Sequence, residues 1–273
     1  MKIALNVVTT GIEKPLEKDI QFAGKHGYDG VEIDTRKLET YLKDHSMADL
    51  KKLLKENKLE VAALMAFPFI PFGEKKKESL ASIAKWAPVA KELGAPGLLT
   101  YIWFEPPKEL SEEQKFKEAG KAAAEYAEIA GKSGVKIILE PCGGAPFANN
   151  PKDVLRVIKE AGNPPNLGLM MDTFHYFKSN VSMTDKKAIP LNMLKLIHVN
   201  DCDDLPREKL NDSNRLYPGK GIIPLVEDFK MLKEKGYEGY LSIEIFRQEY
   251  YDADQETVVK NAIEALKEVL KKV

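Results

Sequence analysis

Short apolar runs and longer segments of helical period alternate along the whole chain. Lys2 to Val7, Gly30 to Asp34 (GVEID), Val61 to Ala66, Gly97 to Trp103 (GLLTYIW), Lys136 to Pro141, Leu167 to Thr173 (LGLMMDT), Leu194 to Asp201 (LKLIHVND) and Tyr240 to Phe246 (YLSIEIF) read as strands. Several are apolar at successive positions, the pattern of strands buried on both faces rather than one. Between them lie helical segments with recognisable ends. One runs from about Pro15 to His26 and stops at Gly27; Ser46 caps a second that reaches Asn57; a third runs from Lys77 to Gly94. Ser111 with Glu113 and Gln114 opens an Ala-rich helix to Ser133, and Pro151 stands in the first turn of one that ends at Ala161. Phe174 to Asn192 is helical with the weakest period, Pro224 to Gly236 follows a polar connection from Cys202 to Gly221, and Asp254 to Lys272 closes the chain. Eight such βα units with no Pro/Ser-rich linker predict an α/β fold of the (β/α)8 TIM-barrel type, one domain over residues 1–273. An open doubly wound sheet fits less well, because no G-x-G-x-x-G follows the first strand.

Composition narrows the function rather than the fold. Lys plus Arg (41) and Asp plus Glu (42) nearly cancel, leaving a net charge of −1, so there is no basic field to hold a nucleic acid. The start, MKIALNVVTT, is not a signal peptide, and no stretch approaches the ~18 apolar residues of a membrane span. Two cysteines, Cys142 and Cys202, make no disulfide framework and suit a reducing cytosol. A cytoplasmic protein without membrane or nucleic-acid partners is expected; a homo-oligomer stays open.

Candidate chemistry sits at the ends of the last four strands. Glu140, Asp172, His198 and Glu244 are each the first strongly polar side chain after an apolar run, at the carboxyl end where such barrels place their active sites. Three carboxylates and an imidazole converging on one space repel unless a cation neutralises them, because buried unpaired charge is very costly. One divalent metal ion is therefore expected, and an oxygen-rich set with a single nitrogen admits Mn²⁺, Mg²⁺, Co²⁺, Fe²⁺ or Zn²⁺. A strand-end acid taken singly is as often a helix cap, but four on consecutive strands are harder to set aside. Beyond the same ends, His175 and Arg215 are placed to grip substrate oxygens, and Asn6 and Glu32 to line the pocket or serve structure. Asp201 either orients His198 through its second ring nitrogen or caps the following loop. Phe67, Trp103 and Phe104 read as pocket wall or core, and His26 as structural. Thiolate coordination by Cys142 or Cys202 suits a hard site poorly, and Gly219-Lys220-Gly221 lacks the spacing of a phosphate cradle.

Glu in LEP, Asp with His three residues later in DTFH, His in HVND, Arg followed by YPGKG, and Glu in SIEIF together resemble the xylose-isomerase-like sugar isomerase/epimerase superfamily. KIALNVVTT, KHGYDGVEIDT, YLKDHSMADL and LSIEIFRQEYY extend the likeness to both ends of the chain. The resemblance implies that Glu140, Asp172, His198 and Glu244 bind the metal, that the two glutamates double as an acid/base pair, and that His175 and Arg215 touch substrate. It also implies an isomerase or epimerase of a keto-polyol or ketose such as an inosose. A Lewis acid on the carbonyl and hydroxyl oxygens stabilises the enediolate formed by proton removal beside a carbonyl, and positioned carboxylates shuttle the proton, which agrees with a metal-bound enediolate route. Dehydration of the same keto-polyol shares the first step. A non-catalytic sugar-binding barrel has less use for both glutamates, and a three-metal DNA-repair endonuclease of the same barrel class needs more histidines than the four present.

Overall fold

The computed structural model describes residues 1–273. Eight parallel strands close into a barrel. They are β1 (Lys2–Asn6), β2 (Gly30–Asp34), β3 (Glu60–Pro68), β4 (Gly97–Ile102), β5 (Lys136–Pro141), β6 (Leu167–Asp172), β7 (Leu194–Val199) and, after the two short strands β8 (Asp201–Cys202) and β9 (Arg215–Leu216), β10 (Tyr240–Ile243). Barrel order is β1-β10-β7-β6-β5-β4-β3-β2, while β8 and β9 form a separate antiparallel pair. Contacts group the chain into two compact units, Met1–Leu64 with Ile197–Val273 and Met65–Leu196, whose boundaries fall inside β3 and β7.

Within the first unit β1 is central, pairing Leu5 with Ile243 on one side and Asn6 with Glu32 on the other. Within the second, β5 pairs Tyr101 with Glu140 toward β4 and Leu139 with Leu169 toward β6. Ile137, Ile138 and Leu139 are all buried, as a run without alternation requires. Each such side chain contributes about 1.5–3 kcal/mol by leaving water.

The helices form at the predicted segments for readable reasons. Ser46 and Ser111 close capping boxes with Asp49 and Gln114 at the starts of α3 (Met47–Glu56) and α5 (Glu112–Gly131). Gly27 ends α1 (Leu16–His26) in the left-handed conformation. Gly120 on α5 stands where a Cβ would lie 2.4 Å from the Glu160 Cβ, so α6 (Pro151–Glu160) can approach α5 only across a glycine. The segment from Phe174 to Asn192 departs from one helix. It splits into α7 (Thr173–Lys178) and α8 (Met183–Ala188), because Asn180 turns left-handed and the Ser182 side chain caps a fresh start. A short helix α2 (Thr35–Tyr41) follows β2 directly, with Asp34 as its cap. The remaining helices are α4 (Lys75–Glu92), α9 (Leu225–Glu234), α10 (Gln248–Tyr251) and α11 (Gln255–Leu270). No helix is long and apolar enough to cross a membrane.

Candidate metal centre

In the unit containing both chain ends, β7 and β10 run in register, with His198 opposite Ser242 and Val199 opposite Ile243. The ladder continues one step further, since the Glu244 amide donates to the Val199 carbonyl (3.2 Å), which fixes Glu244 at the strand's carboxyl end. Its side chain is gripped on both oxygens: Asn6 Nδ2 donates to Oε1 (3.0 Å) and Arg215 Nη1 to Oε2 (2.9 Å). Arg215 is itself held by Asp212, through Nε (3.0 Å) and Nη2 (2.8 Å), at the start of β9. A guanidinium is suited to this, offering separate donors to two carboxylates in one plane.

His198 is fully buried, with Nε2 2.9 Å from Glu32 Oε2, which also accepts from the Ser242 hydroxyl (2.7 Å). An ionised carboxylate only accepts, so the Nε2 position carries the ring proton. Nδ1 then faces Glu244 Oε2 at 3.0 Å. A nitrogen lone pair and a carboxylate oxygen repel at that distance, and while Arg215 approaches the same oxygen from one side, a second proton or a cation between Nδ1 and Oε2 would turn the repulsion into attraction.

In the other unit Glu140 and Asp172 end β5 and β6. Asp172 caps α7, its Oδ1 accepting from the His175 amide (2.9 Å), and His175 Nε2 lies 3.8 Å from Glu140 Oε1. One ligand atom from each of Glu140, Asp172, His198 and Glu244 lies within 4.8 Å of all the others. Exposures of 5, 0, 0 and 3 % deprive these groups of solvation by water. The donor set therefore fits a single divalent cation: three hard oxygens, one imidazole, and a lone pair on Nδ1 directed at a neighbouring carboxylate.

The remaining candidates have readable contacts. Asp201 does not reach His198; its carboxylate accepts from the amides of Cys202 (3.0 Å), Gly221 (2.9 Å) and Ile223 (2.8 Å), so it closes the loop. Burial nonetheless pushes the Asp201 carboxyl above its ordinary range, those amides opposing. Glu32, fully buried, holds the orienting position at His198 Nε2. Asn6 likewise is committed to Glu244 and, through Oδ1, to the Val8 amide (3.2 Å). Gly219-Lys220-Gly221 is the turn that Asp201 closes, and at Gly221 a Cβ would meet the Cys202 carbonyl at 2.0 Å. Cys202 is buried with its thiol pushed up to about 12 by desolvation and by Asp201, which rules out an easily formed thiolate. Phe67 is core and Trp103 is 54 % exposed, whereas Phe104 joins edge-on contacts with Phe69 and Phe72. His26 pairs with Glu256 (3.0 Å).

Residues 20–269 match the model of the xylose isomerase-like TIM barrel family. The chain belongs to that family. Within the xylose isomerase-like barrels it is 34 % identical over 275 residues to an inosose isomerase of Halalkalibacterium halodurans, covering 100 % of this chain and 97 % of the relative. An inosose isomerase of Bacillus velezensis is 32 % identical over the same length, covering 100 % and 98 %. A 1.8 Å crystal structure of the IolI protein with a bound zinc atom superposes with a TM-score of 0.92 at 30 % identity, covering 100 % of this chain and 99 % of that one. The likeness spans the barrel from KIALNVVTT to LSIEIFRQEYY, as the sequence suggested.

Proposed function

We propose that this chain is a divalent-metal-dependent isomerase of a keto-polyol of the inosose kind, acting in the cytoplasm as one barrel domain over residues 1–273. The clustering of four buried ligand atoms at the barrel's strand ends carries the reading. Support for the substrate class comes from the inosose isomerases that match over nearly their whole length. Glu140, Asp172, His198 and Glu244 hold the ion, for which zinc in the related IolI structure is a precedent. When bound, it supplies a Lewis acid that lowers the cost of negative charge on the substrate's carbonyl and hydroxyl oxygens.

The chain's own residues supply the rest. Glu244, with its carboxylate plane set by Asn6 and Arg215, and Glu140, beside His175, form the acid/base pair that removes a proton next to the carbonyl and returns it at the neighbouring carbon. His175 and Arg215 donate to substrate oxygens. Burial of the four ligand residues keeps bulk water from competing for their hydrogen bonds, which strengthens each one.

NMR in D2O over a panel of keto-inositols and ketohexoses, with Mn²⁺ added, tests this. One keto-inositol should be converted with deuterium appearing beside the carbonyl. Turnover without deuterium points to hydride transfer, and a product lighter by one water is the mark of a dehydratase.

A further inference from the structure

Lys37, on α2, and Asp19, on α1, form a salt bridge with side chains 1 % and 0 % exposed. The Lys37 ammonium also donates to the Val7 carbonyl (2.9 Å), the Gly11 carbonyl (3.0 Å) and the Thr10 hydroxyl (3.1 Å). Asp19 Oδ1 accepts in addition from Gln255 Nε2 (2.7 Å). Burial pushes the Asp19 carboxyl up and the Lys37 amine down, each opposed by attraction to the other. Such a pair is an uneconomical way to hold a protein together, since well-packed apolar replacements are commonly as stable.

What the pair does fix is the 3-10 turn Val7–Thr10 that follows β1. This turn is the clamp on Glu244. Its cap is Asn6, which accepts from the Val8 amide and donates to Glu244 Oε1. Its third residue, Thr9, donates to the Ile243 carbonyl (2.9 Å) and accepts from the Ile245 amide (3.1 Å), gripping the backbone on both sides of Glu244. A cation lodged among carbonyls at the turn's end complements their dipoles and sets where the turn stands.

We propose that Lys37, braced by Asp19, is a positioning residue for Glu244, acting through the Val7–Thr10 turn and the Asn6 and Thr9 side chains that hold Glu244 in place. The inference rests on Glu244 acting in proton transfer. Displacing a catalytic group by about 1 Å can cost about 100-fold in rate, so a residue outside the site can govern turnover without touching substrate.

The test replaces both partners, Asp19→Leu with Lys37→Met, so that no lone charge is left buried. The double variant should fold, with kcat down about 10- to 100-fold and KM within about twofold of the parent. Zinc binding by its apoprotein, followed by calorimetry, should weaken by about tenfold, because Glu244 is also a ligand. Adding Asn6→Ala should cost little more than Asn6→Ala alone, since both changes release the same carboxylate. If the double variant does not fold, Asp19→Asn with Lys37→Gln, which also leaves no lone charge but keeps hydrogen-bonding groups, should show the same split between kcat and KM at smaller size. Parental kcat in a folded form of that second variant overturns the proposal. A folded double variant with parental kcat and zinc affinity overturns the proposal, as does an Asn6 effect that simply adds. If the parent lacks isomerase activity, or Glu244→Gln turns over normally, the isomerase reading fails and Lys37 loses its role with it.

Discussion

Replacing Glu32 by Gln separates metal binding from folding. The substitution keeps shape and one acceptor oxygen but removes the negative charge that faces His198 Nε2 at 2.9 Å. With the carboxylate present, the ring proton is held on Nε2 and Nδ1 is left as a donor to a cation; the charge also compensates the ring as it gives up electron density. A hydrogen bond to a charged group contributes about 1.5–3 kcal/mol against about 1 kcal/mol for a neutral one. Loss of a ligand-orienting carboxylate typically weakens metal affinity about 10- to 100-fold. That range corresponds to about 1.4–2.7 kcal/mol, consistent with the hydrogen-bond figures. Without metal the effect should vanish or reverse, because Glu32 is a fully buried carboxylate in a site already rich in carboxylates. Competition titration of Zn²⁺ against a chromophoric chelator reads the first quantity and thermal melting of the apoprotein the second. Affinity unchanged within about threefold, or a melting point that falls in the apoprotein while affinity holds, refutes the orienting role assigned to Glu32.

Three further outcomes are expected. Glu244→Gln should lower turnover about 10²- to 10⁴-fold while polyol binding stays measurable by calorimetry, and undiminished turnover would remove its acid/base role. Dialysis against a chelator should abolish activity and lower the melting temperature, both recovering on addition of Mn²⁺ or Zn²⁺, since a ligand bound only by the folded state stabilises it; an active, metal-free enzyme would contradict this. The Cys202 thiol, buried and pushed up to about 12, should resist alkylation at pH 8 until the protein is unfolded, and prompt labelling of Cys202 in the native state would show the loop to be open.

Much of this molecule is legible in its sequence because the relevant signals are local. Serine caps at Ser46 and Ser111, the glycine stop at Gly27 and the apolar runs of KIILEP and LGLMMD set elements close to where they occur. The metal-ligand candidates were readable for the same reason: a strand's last polar residue marks the barrel's carboxyl end. What escaped is pairing at long range. Asp201 is three residues from His198 and was a reasonable partner, yet Glu32, 166 residues away, takes the ring nitrogen. That choice depends on strand register around β10, β1 and β2, which periodicity does not encode. The grip of Arg215 on Glu244 and Asp212 arises from the β8–β9 pairing of Cys202 with Arg215, hidden in a polar stretch with no period. Lys37 carried no signal at all, being one lysine among many until α2 folds over the Val7–Thr10 turn. The break near Asn180 could have been read from Asn180 and Ser182 together, a left-handed residue followed by a cap.

The central claim is that Glu140, Asp172, His198 and Glu244 share one divalent ion. Crystals grown with Mn²⁺ and measured for anomalous scattering test it most directly. A single peak at about 2.0–2.2 Å from one atom of each of the four side chains, His198 contributing Nδ1, is the predicted result. A protein that crystallises with those four groups bare while the anomalous signal lies elsewhere would contradict it.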